Sequence, residues 1–97
     1  MNIVEEIGYA ASLEQLAEEC SELAHAALKL ARIMRKDNPT PVGKEEAYAK
    51  LSEEANDVIL CLEELLTVGM YCESSALREI KRQRWIDRIQ ESRGDAL

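Results

Sequence analysis

This chain of 97 residues has no phenylalanine, one tryptophan and three tyrosines. With aromatics this sparse, a core must rest mainly on aliphatic side chains and alanine. Its two prolines both lie in Asp37-Asn38-Pro39-Thr40-Pro41-Val42-Gly43, so no other stretch meets that obstacle to helix formation. The three cysteines, Cys20, Cys61 and Cys72, are odd in number and form no Cys-x-x-Cys pair, which argues against a disulfide framework and a zinc site. The longest strongly apolar run, Val58 to Leu62, is far too short to cross a bilayer. Met1-Asn2-Ile3-Val4-Glu5-Glu6 is acidic, unlike the basic start of a secretory leader. Basic charge is not in excess either. A net charge of −7 argues against nucleic-acid binding by the surface as a whole. A cytoplasmic protein with neither membrane nor nucleic acid as partner is expected.

What is present in quantity is Ala, Leu, Glu, Lys and Arg, the strong helix formers. Four helical segments are predicted. A short one runs from Ile3 to Ala10. Ser12, with Gln15 three residues later, reads as a capping box that opens a long helix from Leu13 to about Arg35. The Pro-rich loop follows, and a second long helix runs from Lys44 to Val68, stopped by Gly69. Ser74 or Ser75 caps a last helix reaching about Arg93. No strand signal interrupts this pattern. The expected fold is one all-α domain over residues 1–97, a helical bundle built on a long antiparallel helix hairpin. So small a core favours completion by oligomerisation.

The most specific pattern is an acidic phrase that occurs twice, 35 residues apart. Leu16-Ala17-Glu18-Glu19-Cys20-Ser21-Glu22-Leu23 is echoed by Leu51-Ser52-Glu53-Glu54-Ala55-Asn56-Asp57-Val58. At about 100° per residue, Leu16, Cys20, Leu23, Ala27, Leu30 and Met34 fall within about 40° of one line. Leu51, Ala55, Val58, Leu62 and Leu65 make the matching stripe. Cys20 on its stripe and Cys61 at the margin are thus expected to be small packing residues. Glu19 and Glu54 both lie about −60° from their stripes, and Glu22 and Asp57 about −120°. Glu18 and Glu53, near about −160°, point to solvent. In an antiparallel pair both acidic flanks share one face, and their midpoint, Asn38, falls in the loop. Four carboxylates at one height repel one another and call for protons or a cation. A hard divalent ion with oxygen ligands, Mg²⁺ or alternatively Mn²⁺, suits Glu19, Glu22, Glu54 and Asp57. A single acidic pair in a chain with 19 acidic residues reads more simply as a solvated face. The duplication, the common flank and the common height favour the site.

The last helix reverses the charge. From Arg78 to Arg93 six basic residues stand against three acidic ones. Lys81, Arg84 and Arg88 form one stripe at i, i+3 and i+7, flanked by Ile80, Trp85 and Ile89. Such a stripe either neutralises the acidic helices or binds phosphate oxygens.

Together, Glu18-Glu19-Cys20-Ser21-Glu22-Leu23 and Glu53-Glu54-Ala55-Asn56-Asp57-Val58 resemble the paired Glu-x-x-Glu and Glu-x-x-Asp motifs of the MazG-like nucleoside triphosphate pyrophosphohydrolases. Lys81-Arg82-Gln83-Arg84-Trp85-Ile86-Asp87-Arg88-Ile89 is similar to the basic segment closing the domain in several small members. The resemblance spans about Leu13 to Ile89. It implies an all-α, Mg²⁺-dependent homodimer or homotetramer. The implied reaction splits a nucleoside triphosphate into monophosphate and pyrophosphate. It also implies Glu19, Glu22, Glu54 and Asp57 as metal ligands and Lys81 and Arg84 as phosphate contacts, to which the stripe adds Arg88. On the physics of metal-assisted hydrolysis, Glu19 or Glu22 is the carboxylate expected to take a proton from water. Between Glu22 and Glu54 lie 31 residues, more than in many members, and the Pro-rich loop absorbs the excess. No base-recognising residue is implied.

Two other classes fit parts of the pattern. Glu22-Leu23-Ala24-His25 is a Glu-x-x-His, which di-iron carboxylate bundles carry twice and this chain carries once. A non-catalytic helical adaptor would use the Leu16, Leu23 and Leu30 stripe for assembly alone.

Overall fold

The computed structural model describes residues 1–36 and 43–94. They form four helices and no strand: α1 (Ile3–Ile7), α2 (Tyr9–Arg35), α3 (Lys44–Thr67) and α4 (Ser75–Arg93). The protein is all-α. Most of the Pro-rich connection, residues 37–42, lies outside the described residues.

The helix ends follow local chemistry. The Asn2 side chain accepts from Glu5 N–H at 3.0 Å and caps α1. Gly8, with φ +93° and ψ 155°, breaks the chain between α1 and α2 in a conformation open mainly to glycine. This break starts α2 at Tyr9, four residues before the expected Leu13. Ser12 is therefore inside the helix and not its cap. Its hydroxyl donates back to Gly8 C=O at 2.8 Å, and the Gln15 amide donates to Glu19 at 2.7 Å. The expected capping box is not formed, because the glycine supplies the break one turn earlier. Gly69, with φ +73°, follows the end of α3, and Met70 N–H donates to Leu65 C=O at 3.0 Å. Ser74 caps α4 by accepting from Leu77 N–H at 3.1 Å.

Helices α2 and α3 pack against each other, and α1 lies across both. Ser12 and Gln15 share a cavity wall with Cys61 and Glu64. Glu19 and Glu22 meet Glu54 and Asp57, and Ala26 shares a groove with Ala47 and Lys50. Rising positions of α2 thus face falling positions of α3.

The buried line along this pair is Ser12, Ala26 and Leu30 on α2 with Ala47, Glu54 and Leu65 on α3. All of them lie between about −40° and −80° from Leu16 or Leu51 on a helical wheel. The seam is displaced toward the acidic flank by the same amount on both helices. Alanine at two of its positions lets the backbones come close, since side-chain size sets the interaxial distance. One seam between two helices covers only part of a broad apolar stripe. Cys20, Ala27 and Met34, expected in the core, are consequently exposed, and Leu16, Leu51, Ala55, Val58 and Leu62 are half-buried.

Helix α4 packs against none of the other three, and none of its residues is buried. Trp85 is 64 % exposed and Ile80 51 %. The radius of gyration is 17.6 Å, where a compact chain of this length has about 12.5 Å. The accessible surface of 7653 Å² exceeds by about 2,000 Å² that of a compact chain of the same mass.

Candidate metal centre

Glu19 and Glu22 sit one turn apart on α2, and Glu54 and Asp57 one turn apart on α3. One carboxylate oxygen from each lies within 4.8 Å of all the others. Glu54 is 3 % exposed, Glu19 and Asp57 are half-buried, and Glu22 is exposed. The cluster therefore has a closed side in the seam and an open side at Glu22. Glu18 and Glu53, expected at the solvent, are exposed.

Burial of Glu54 needs compensation, because a lone charged carboxylate is strongly disfavoured away from water. Lys50, one turn earlier on α3, supplies it through an ion pair at 2.8 Å, with Glu53 a longer partner at 3.8 Å. The ammonium of Lys50 holds the Glu54 carboxyl below its usual pKa. Glu22 moves the opposite way. Its hydrogen bond with Glu54, then the charges of Glu19 and Glu54, raise its pKa. Of the two carboxyl groups, Glu22 is the one that takes up a proton first as pH falls. Desolvation, then Glu19 and Asp57, raise the Cys61 thiol. This makes Cys61 a poor nucleophile, in keeping with a packing role.

Two oxygens in the cluster, Oε2 of Glu19 and Oε2 of Glu54, are buried with no hydrogen-bond partner. Buried acceptors are nearly always satisfied, so this unpaired pair has lone pairs to spare for a bound cation. Four carboxylates with two unused lone-pair sites form a hard oxygen donor set, suited to Mg²⁺ or Mn²⁺. His25 is not part of this donor group, so the described residues do not assemble a histidine–carboxylate set.

The surroundings differ on the two sides. Toward α1, Glu19 and Asp57 border a cavity of about 190 Å³ with apolar walls from Ile3, Val4, Ile7 and Leu60. On the other side, Glu22 and Glu54 border an open groove of about 580 Å³ that contains His25, Lys29, Arg32 and Lys50. The sequence reading did not single out Lys29 or Lys50. A helical wheel holds the signal, because Lys29, Glu22, Lys50 and Asp57 all fall between about −100° and −140°. Lys81, Arg84 and Arg88, expected at phosphate, are all exposed on α4. The fold of one chain does not bring them to the carboxylates.

Compared with protein-family models, curated proteins and solved structures, the chain matches none.

The raised Glu22 carboxyl has a measurable consequence. A carboxyl whose pKa is raised on folding binds its proton more tightly in the native state. Stability from that proton is present below the ordinary pKa of 4.5 and is lost as pH rises through the raised value. Glu54 acts oppositely, losing its contribution as pH falls through its lowered pKa. Metal-free protein in EDTA is expected to lose melting temperature relative to Glu22→Gln as pH rises above the ordinary value of 4.5. Melting temperatures of the two proteins that run parallel as pH rises from 4.5 would exclude a raised Glu22 carboxyl.

Proposed function

We propose that this protein is a Mg²⁺-dependent nucleoside triphosphate pyrophosphohydrolase of MazG-like architecture, releasing a nucleoside monophosphate and pyrophosphate. The observation that supports it is the convergence of Glu19, Glu22, Glu54 and Asp57 within 4.8 Å around two buried, unpartnered oxygens. In this reading the antiparallel α2–α3 hairpin holds the metal through those four carboxylates. When bound, Mg²⁺ or Mn²⁺ neutralises phosphate charge and lowers the pKa of water.

The residues divide the remaining work. A water oxygen bonds to the α-phosphorus while the bond from that phosphorus to the α–β bridging oxygen breaks. The bridging oxygen leaves on pyrophosphate. Glu19 or Glu22, beside the metal, accepts the proton lost by the water. Glu54 and Asp57 hold position, Glu54 from inside the seam.

The reading includes assembly. An excess surface of about 2,000 Å² is ample for a standard interface, which takes about 800 Å² from each partner. The half-covered apolar stripe and the detached α4, with Trp85 and Ile80, are the surfaces to be covered. A homodimer or a dimer of dimers buries them and carries Lys81, Arg84 and Arg88 to another protomer's carboxylates. Light scattering at micromolar concentration is expected to give at least twice the 10.9 kDa chain mass. A stable monomer would reject this part. Three free cysteines fit the reducing cytoplasm, and no helix among the described residues is long and apolar enough to cross a membrane.

Screening nucleoside triphosphates with Mg²⁺ for pyrophosphate release tests the activity. Diphosphate plus orthophosphate as products means attack at the γ-phosphate and contradicts the proposal. A folded protein that cleaves none of them under any metal is a helical adaptor instead.

A further inference from the structure

The acidic centre lies between an apolar cavity and a cationic groove, and this gives the site a direction. The cavity under α1 is walled by Ile3, Val4, Ile7 and Leu60 and reaches Glu19 and Asp57. The groove starts at Glu22 and Glu54 and carries Lys29 and Arg32 of α2, Lys50 of α3 and His25. In a chain of net charge −7, three permanent cations in one groove stand out against the average surface. Among the described residues neither Lys29 nor Arg32 is paired with a carboxylate.

Lys50 differs. Its ammonium pairs with Glu54 at 2.8 Å, the most buried of the four carboxylates. A divalent ion at the cluster competes for the same negative charge. With an ion held there, Glu54 would hold Lys50 less tightly, and the Lys50 ammonium would be left to the groove it lines. Binding of the cation and provision of a phosphate contact are thereby coupled through one salt bridge.

We propose that the groove of Lys29, Arg32 and Lys50 is the subsite for the leaving pyrophosphate, with the organic end of the substrate held in the cavity under α1. The proposal deepens the pyrophosphohydrolase reading and rests on it for the identity of the leaving group. An apolar group on one side of the carboxylates and a polyanion on the other puts the phosphate next to the organic moiety at the centre. Scission there releases the two distal phosphates into the cationic groove. Arg32 is suited to a forked contact with phosphate oxygens, and Lys29 and Lys50 to point-charge contacts.

The test uses inorganic pyrophosphate as probe on the full chain, by titration calorimetry with Mn²⁺ present, alongside Mn²⁺ binding alone. The wild type is expected to bind pyrophosphate. Lys29→Ala/Arg32→Ala is expected to bind it at least about tenfold more weakly, with Mn²⁺ affinity unchanged. Lys50→Ala is expected to weaken pyrophosphate too, while Mn²⁺ binds as well or better once its competitor is gone. Equal pyrophosphate affinity in wild type and Lys29→Ala/Arg32→Ala overturns the assignment, even if the wild type hydrolyses nucleotides. So does a wild type that binds Mn²⁺ but no pyrophosphate. A wild type that binds pyrophosphate through these residues yet cleaves no triphosphate upholds the anion site and removes the enzymatic reading.

Discussion

Asp57→Asn is expected to abolish the rise in melting temperature that Mg²⁺ or Mn²⁺ produces in the wild type, and with it nucleotide hydrolysis. A ligand of the native state at a hundred times its Kd stabilises by about 2.7 kcal/mol. For a domain near 100 residues that is a rise of roughly 10–20 °C. The substitution keeps the side-chain shape and removes one of four converging charges. Without metal the same change relieves repulsion, so metal-free Asp57→Asn should melt no lower than metal-free wild type. The contrast distinguishes a metal ligand from a structural residue, whose loss would lower both curves. If the wild-type melting temperature ignores millimolar Mg²⁺ and Mn²⁺, with and without nucleotide, the centre does not hold a cation and the proposed chemistry falls with it.

Arg84→Ala is expected to lower kcat/KM by about ten- to 150-fold while leaving Mn²⁺ affinity unchanged. A triphosphate carries about four negative charges and one divalent ion offsets two, so further cations are needed. Loss of one charge-assisted contact costs roughly 1.5–3 kcal/mol, and each 1.4 kcal/mol is tenfold. Among the described residues α4 packs on no other helix, so in the proposed reading its contribution comes from a second protomer. Equimolar mixing of Asp57→Asn with Arg84→Ala then rebuilds intact sites in mixed dimers. About one quarter of wild-type activity is expected, given random exchange of subunits in a closed two-fold assembly. No recovery after verified exchange would show that α4 acts within its own chain or not at all. An unchanged kcat/KM in Arg84→Ala would remove the α4 strip from the site and leave the phosphates to Lys29, Arg32 and Lys50.

The sequence carried the four carboxylates because their spacing is a property of the helix. Residues three apart share a face whatever else the chain does, and two copies about one loop midpoint fall at one height. It also carried the helix content and a cap for α4 at Ser74 or Ser75, which depend on neighbours within a turn; the structure chose Ser74. The start of α2 was misplaced because two local signals compete there. A serine with a glutamine three residues on reads as a cap, but a glycine one turn earlier breaks the chain at less cost.

By itself, then, the amino-acid sequence determined an all-α chain with paired acidic motifs and a basic last helix, since these are set by propensity and by the 3.6-residue repeat. Only the tertiary structure decided what each surface meets. The rotation of the seam depends on how closely two backbones approach, here at Ala26 and Ala47, and it sent Glu54 inward and Cys20 and Met34 outward. The polarity of the site depends on which residues from different helices line one space. That is why the apolar cavity under α1 and the cationic groove of Lys29, Arg32 and Lys50 emerged only when the helices were seen packed.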